Sequence, residues 1–362
     1  MAETWDVECD VLPGMEAILA RELRRCFRGR VGRLADTGRA SLRFGFQGSL
    51  DELLGLRTAH AAFVALAFSG RRPAALLGSQ NLRALLGRIQ TIRALHPPGT
   101  VCTFRFGTTG RDTSTFRRLA SELEAQSGLR HDPDDGELLI RIRQSGRPDD
   151  GWEALLRLSP RPLSTRPWRV SSYQGALNPT IAAAMVDLTQ PRPDDRFINL
   201  MCGSGTLLIE RLLRCRAAEA LGVDISGEAL EAARANVAAA GLTRAVKLMQ
   251  SDAVLTGLDM ARYTVLVADL PYGNGNGHGN GHGAGAGGAG DGSHRDNATL
   301  FPLLLEEAAR MAAPAARFAV ITHDTRLFDA SLEEARGRWQ PERTFRVFQG
   351  GQRPQMYVLR RV

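Results

Sequence analysis

The chain has 362 residues, 43% apolar and 23% charged, which is the balance of a folded protein and too much chain for one ordinary core. No apolar run is long enough to span a bilayer, and the opening MAETWDVECD is acidic where a secretory leader is basic and then apolar. The net charge of +7 is uneven: residues 1–170 carry 26 Arg against 19 acids, whereas residues 171–362 carry 20 basic and 20 acidic side chains, so the N-terminal half has the field of a polyanion-binding region.

In chain order, MEAILARELRRCF sets Ile18, Leu19, Leu23, Cys26 and Phe27 at helical spacing. RASLRFGF alternates Leu42, Phe44 and Phe46 as a half-buried strand, and DELLGLRTAHAAFVALAFSG reads as a helix followed by a strand. NLRALLGRIQTI and STFRRLASELEAQSG are predicted helices, and TVCTFRFGTT, ELLIRIRQSG and WEALLRLSP predicted strands. LSPRPLSTRPWRVSS has no period and reads as a linker. NPTIAAAMVDL then opens a helix with Asn178 as cap and Pro179 in its first turn. From there strand and helix alternate through RFINLM, TLLIERLLRCRA, LGVDIS, GEALEAARANVAAAGL, VKLMQSDA, YTVLVADLP, LFPLLLEEAARMA and RFAVITH. TFRVFQGG and QMYVL close the chain as an antiparallel hairpin. This is the grammar of a doubly wound α/β sheet.

Such sheets bind ligands at the carboxyl ends of their strands, and four strand ends here carry suggestive residues. In NLMCGSGTLLIE (199–210), Gly203 and Gly205 permit close backbone approach and the following helix offers its amides, although ordinary tight turns also use glycine. Asp224 closes LGVDIS and suits ribose hydroxyls; Asp252 in LMQSDA suits an adenine amino group; for each, a helix cap is the plain alternative. Their order on successive strands points to a nucleoside cofactor. The fourth is VADLPYG. An exocyclic amine is a poor nucleophile because its lone pair is delocalised, and it needs acceptors on both N–H groups. Asp269 and the carbonyl before Pro271 supply them, Pro271 stiffens the turn, and Tyr272 offers a stacking face for a flipped base. The five cysteines, odd in number and without a CxxC pair, read as reduced thiols in a cytoplasmic protein. Between Gly273 and Gly292 eleven of twenty residues are glycine, a composition expected to stay disordered; its two histidines make a poor metal site.

NLMCGSGTLLIE and DLPYG resemble motifs I and IV of S-adenosylmethionine-dependent Rossmann-fold methyltransferases that modify exocyclic amines. PGMEAILARELRR, LLIRIRQSG and LSPRPLSTRPWRV resemble a ferredoxin-like unit with a THUMP domain, and SSYQGALNPTIAAAMV is similar to the segment that opens the catalytic domain. Over nearly its whole length the chain resembles the THUMP-containing tRNA guanine-N2-methyltransferases, and among them the group that methylates guanosine 6 of the acceptor stem. Bacterial rRNA guanine-N2-methyltransferases share the arrangement but typically show Asn where this chain has Asp269. The family usually has Pro at Leu270, and the glycine tract has no counterpart in it.

The resemblance implies an α/β fold with a C-terminal Rossmann-fold methyltransferase domain (179–362, with a Gly-rich loop at 273–295), a ferredoxin-like domain (1–65), a THUMP RNA-binding domain (66–162) and a linker (163–178). S-adenosyl-L-methionine would be held by Asn199, Cys202, Gly203, Ser204, Gly205, Thr206, Asp224, Ile225, Asp252, Ala253 and Asp269. Asp269, Leu270, Pro271 and Tyr272 would hold the target guanine, and Arg43, Arg105, Arg117 and Arg118 would contact RNA. The implied protein is a cytoplasmic monomer without metal, acting on the acceptor stem and 3′ end of tRNA. An rRNA enzyme and a non-catalytic RNA-binding module are the alternatives; the second would be expected to have lost motif residues that this chain keeps.

Overall fold

The computed structural model describes residues 4–68, 70, 72–108, 111–145, 151–271, 296–349 and 351–362, so Tyr272 and the glycine tract lie outside the described residues. The chain forms two compact units, Met1–Thr165 and Arg166–Val362. No helix among the described residues is long and apolar enough to cross a membrane.

The first unit contains β1 (Thr4–Asp10), α1 (Glu16–Cys26), β2 (Ala35–Asp36), β3 (Ser41–Gln47), β4 (Ala61–Phe68), α2 (Ser79–Arg93), β5 (Thr103–Phe106), α3 (Ser114–Ser127), β6 (Arg130–His131), β7 (Leu138–Gln144) and β8 (Trp152–Arg157). They build one eight-stranded sheet of order β2-β3-β1-β4-β8-β7-β5-β6. β4 pairs with β1 on one side and β8 on the other, so the sheet runs on across residues 65 and 66. The helix expected at DELLGL is a 3-10 turn, Leu50–Gly55, closed by a capping box between Ser49 and Glu52. Six residues ending in glycine are too few to repay the nucleation of an α-helix.

Arg43 corrects the sequence reading. Its guanidinium does not face outward to meet phosphate. It donates to both carboxylate oxygens of Asp6 at 2.7 and 2.8 Å, to Glu8 at 3.3 Å and to Glu153 at 2.8 Å. Glu8 and Glu153 are buried in the sheet face, and Arg143 completes the network by binding both. Arg105 is half-buried, its Nε donating to the Gly136 carbonyl at 3.2 Å, whereas Arg117 and Arg118 on α3 are exposed.

The second unit contains α4 (Pro179–Leu188), β9 (Arg196–Leu200), α5 (Thr206–Arg214), β10 (Glu219–Asp224), α6 (Gly227–Ala239), β11 (Lys247–Gln250), β12 (Tyr263–Asp269), α7 (Asn297–Met311), β13 (Ala312–Thr322), α8 (Thr325–Glu334), β14 (Trp339–Arg346) and β15 (Gln355–Arg361). Asn178 caps α4 by accepting from the Thr180 amide at 2.9 Å, ahead of Pro179. The sheet order is β11-β10-β9-β12-β13-β15-β14. β11 to β13 are parallel, and β15 and β14 return antiparallel as the expected hairpin. The chain winds from β9 outward to β11, then crosses back to β12. The order therefore reverses between β9 and β12, where open α/β sheets leave a crevice for ligand.

Removing Arg43 leaves two buried carboxylates short of a counter-charge, so Arg43→Ala should cost about 3–5 kcal/mol of stability. Urea unfolding checks this; a variant of unchanged midpoint would return Arg43 to the list of surface contacts.

Candidate functional site

A cavity of about 380 Å³ opens at the carboxyl edge of the second sheet, at that reversal. Its walls come from three places: the turn after β9, the ends of β10, β11 and β12, and the segment 173–177 ahead of α4.

The turn after β9 carries the backbone cost. Met201, Gly203 and Gly205 all have positive φ, at 55°, 52° and 81°. A Cβ on Gly203 would meet no protein atom within 4 Å, while one on Gly205 would press on Ala233 Cβ at 3.3 Å. Gly203 therefore leaves room on the cavity side, and Gly205 lets α5 pack on α6. Asp224 secures this turn: its carboxylate accepts from the Gly203 amide at 2.7 Å and from the Ser226 amide at 3.0 Å. Ligand-facing and capping roles thus coincide in one residue. Asp252 accepts from the Val254 amide at 3.1 Å at the cavity edge. Ile225, 54% exposed, offers a flat apolar surface between them. The Ser204 hydroxyl, buried in the wall, has no partner among the described residues. The Cys202 thiol is pushed far up by burial and by the Asp224 anion, so it stays neutral.

Asp269 ends β12, the strand beside β9, with Ala268 paired to Leu200. The buried carboxylates of this unit each have an arginine: Asp187 with Arg214, Asp195 with Arg211 and Arg317, Glu210 with Arg166, and Glu307 with Arg310. Asp269 has none among the described residues, and burial alone raises its carboxyl to about 7. Its neighbour Leu270 is fixed by donating its amide to the Ile321 carbonyl at 3.0 Å, and Pro271 follows at the rim. A half-buried acidic group in a cleft, without a counter-charge among the described residues, costs stability when ionised and is a candidate for chemistry.

The cavity brings together Cys202, Gly203, Ser204, Thr206, Asp224, Ile225, Asp252, Ala253, Asp269, Leu270 and Pro271. Gly205 lies behind it. Asn199 is corrected: it is fully buried beneath the turn, donating to the Leu200 and Val267 carbonyls at 3.1 and 3.3 Å, and it does not line the cavity. The expected stacking role of Tyr272 falls outside the described residues.

Sequence reasoning named no residue of the third wall, Tyr173 to Leu177. A clamp holds that segment. Arg166 pairs with buried Glu210 at 2.9 Å, and Arg169 donates to the Leu177 carbonyl and the Thr206 hydroxyl at 2.6 and 2.7 Å. Asn236, buried on α6, accepts from the Val170 and Ser171 amides and donates to the Ser171 and Ser204 carbonyls, all within 3.1 Å. One side chain thus fastens the entry segment to the glycine turn.

The doubly wound fold of the second unit agrees with the comparisons: residues 166–282 match the model of the UPF0020 family, described as an RMKL-like methyltransferase domain. The chain is 28% identical to the human tRNA (guanine(6)-N(2))-methyltransferase THUMP3 over 51% of its own length and 36% of that protein's, and 22% identical to the tRNA (guanine(6)-N2)-methyltransferase of Methanocaldococcus jannaschii over 54% and 57%. It therefore spans between about a third and three fifths of these relatives. Among solved structures, TrmN from Thermus thermophilus aligns over 99% of this chain and 100% of that one with a TM-score of 0.72 at 24% identity. SMU.472 complexed with SAH aligns over 99% and 98%, with a TM-score of 0.65 at 17% identity. The α/β fold thus extends over both units.

Asn236→Ala removes the partner of four backbone groups, of which the Val170 amide keeps the Trp168 carbonyl at 3.0 Å, at about 1–3 kcal/mol for each one left unpaired. Trypsin cleavage after Arg169, followed by mass spectrometry, should speed up at least several-fold. Equal cleavage rates would show that the segment is held without Asn236.

Proposed function

We propose that the protein transfers a methyl group from S-adenosylmethionine to the exocyclic N2 amine of a guanosine in tRNA, at position 6 of the acceptor stem. The observation that carries this reading is Asp269: a half-buried acceptor with no counter-charge among the described residues, beside a fixed Leu270-Pro271 peptide and on the strand next to the glycine turn. The names of the human and archaeal relatives support tRNA guanosine 6 as the substrate.

The residues present fit the cofactor. The open space over Gly203, the unpartnered Ser204 hydroxyl, the half-buried acids Asp224 and Asp252 and the apolar face of Ile225 suit a ligand with a polar head, a ribose and a base. Gly203, Ser204 and Thr206 would hold its amino-acid end near the start of α5, Asp224 its ribose, and Asp252, Ala253 and Ile225 its adenine. When bound, it supplies a methyl group on a positively charged sulfur. The chain's own residues do the rest. The Asp269 carboxylate accepts one N2–H bond and the Leu270 carbonyl the other, which turns the nitrogen lone pair towards the methyl. As N2 gains the methyl it loses one proton, and Asp269 is placed to receive it. Orientation supplies most of the acceleration.

The first unit is read as the RNA grip, with a ferredoxin-like part (1–65) and a THUMP part (66–162). Its charge supports phosphate contacts, with Arg117 and Arg118 exposed for them and Arg105 beside them. A monomer in the cytoplasm completes the reading.

The test uses purified protein, labelled S-adenosylmethionine and unmodified tRNA transcripts, with nucleoside analysis. N2-methylguanosine at position 6 is expected, and Asp269→Ala should lower transfer at least about 100-fold while S-adenosylhomocysteine still binds. Transfer to rRNA fragments alone would replace the substrate, and no transfer to any RNA would remove the reading.

The pH dependence has a definite sign. Asp269, with a carboxyl raised to about 7, is a charged acceptor able to take up the N2 proton only when ionised, so the rate should rise with pH through 7 and then level. Asp269→Asn should flatten that limb. Because the folded protein holds this proton more tightly than the unfolded chain, the ionised group costs stability above its ordinary range. Asp269→Asn should therefore raise the Tm at pH 8 and change it little at pH 4. A flat wild-type profile would assign the carboxyl no part in the step.

A further inference from the structure

The carboxyl edge that holds Asp269 continues past the cavity. In the sheet, Asp269 stands opposite Ile321, Ile321 opposite Met356, and Met356 opposite Phe345. One step beyond that row lie Thr322, Gln355 and Arg346, and beyond them the turn that joins β14 to β15. With strands about 4.8 Å apart, this turn lies roughly 10–15 Å along the edge from Asp269. That is the reach of about three to four stacked nucleotides at ~3.4 Å each.

The turn is firmly built. Val347 is fully buried and donates its amide to the Pro354 carbonyl at 3.0 Å, and Gln349 and Gln352 exchange backbone bonds at 3.1 and 2.9 Å. On this base, Phe348 is 40% exposed, and the Arg353 guanidinium lies over its ring, 5.3 Å from the centroid. Arg343, Arg346 and Arg353 are all exposed. Residues 339–362 contain five arginines and one acid, Glu342, within a half that is otherwise free of net positive charge. That acid is already taken by Arg360 at 2.8 Å. The positive charge therefore gathers at the turn, on the same edge as the cavity.

We propose that this turn is a second RNA contact: Phe348, backed by Arg353, stacks on a base flanking the target guanosine, while Arg343 and Arg346 engage neighbouring phosphates. A rigid aromatic face with guanidinium groups around it is the chemistry that holds single-stranded nucleic acid. A flipped guanosine leaves unstacked neighbours that need such a platform. A protein partner would call for a wider apolar patch, and the residues beside Phe348 are glutamine, glycine and arginine. The proposal rests on the RNA methyltransferase reading and adds positioning residues to it.

The experiment measures tRNA affinity by fluorescence anisotropy for the full chain and for Phe348→Ala, Phe348→Trp and Arg353→Ala, with S-adenosylhomocysteine binding and Tm as controls. Phe348→Ala should weaken RNA binding about tenfold and raise KM more than it lowers kcat, and Phe348→Trp should restore both. Arg353→Ala should also weaken binding and reduce the slope of log affinity against log salt by about one. The controls should not move. RNA binding unchanged in both alanine variants overturns the proposal. A wild type that binds tRNA without making N2-methylguanosine would remove the reaction, yet the affinities would still decide the contact; a wild type that binds no RNA would remove both.

Discussion

The carboxamide of Asn236 has two acceptor and two donor positions, and all four are filled by backbone groups of the entry segment and the glycine turn. The cavity depends on that arrangement. The glycine turn is a costly stretch of chain, with a non-glycine residue, Met201, at positive φ between the strand and two left-handed glycines. Left to itself such a turn would relax. Asp224 pins it from the sheet side and Asn236 from the helix side. The same carboxamide also draws in the segment that forms the third wall. A parallel sheet supplies an edge where ligand can sit, but it supplies no third wall, and here that wall is tied on by polar bonds to the fully buried Asn236.

The two units treat buried carboxylates alike, with one departure at the cavity. In the first, Glu8 and Glu153 are neutralised by Arg43 and Arg143 in a network that satisfies every charge it contains. In the second, four buried acids follow the same rule and Asp269 breaks it. Pairing Asp269 with an arginine would stabilise the anion, but it would also occupy the oxygens that a substrate amine must reach. The unpaired state is a stability cost borne for a free acceptor, and the elevated carboxyl pKa is its physical signature.

Periodic segments were legible from the sequence. The helices α4 to α7 and the strands β9 to β13 each carry an apolar pattern or a cap, and the strand-end acids follow from their order along the chain. β1 was not delineated, because TWDVECD places an acid at every second position and one of them, Glu8, is buried by an ion pair instead of being excluded from the core. α8 was missed because its apolar face rests on few residues, chiefly Phe328 and Leu332. The third wall of the cavity could not be assigned to the site for a different reason: YQGAL has no period, carboxylate or histidine, and the segment leading to it is fastened by Asn236, some sixty residues away. Asn199 misled in the other direction, since a polar residue beside a glycine turn suggests a ligand contact while its carboxamide only bridges two adjacent strands.

Charge was the least local of the signals. Of the 46 basic residues only Lys247 is lysine, and many arginines of the positive half work inward. Arg43 bridges three acids, Arg30 forms a two-pronged pair with Glu52, Arg141 reaches Asp10, and Arg157 holds three backbone carbonyls. A planar guanidinium with five donors suits these tasks as an ammonium does not. Counting arginines therefore measures the field of the unit correctly, because buried guanidinium groups remain charged, but it says little about which of them a polyanion can touch. The converse holds in the second unit. The near-zero net charge of residues 171–362 conceals a positive turn, because acids elsewhere in that stretch cancel it in the sum and not in space.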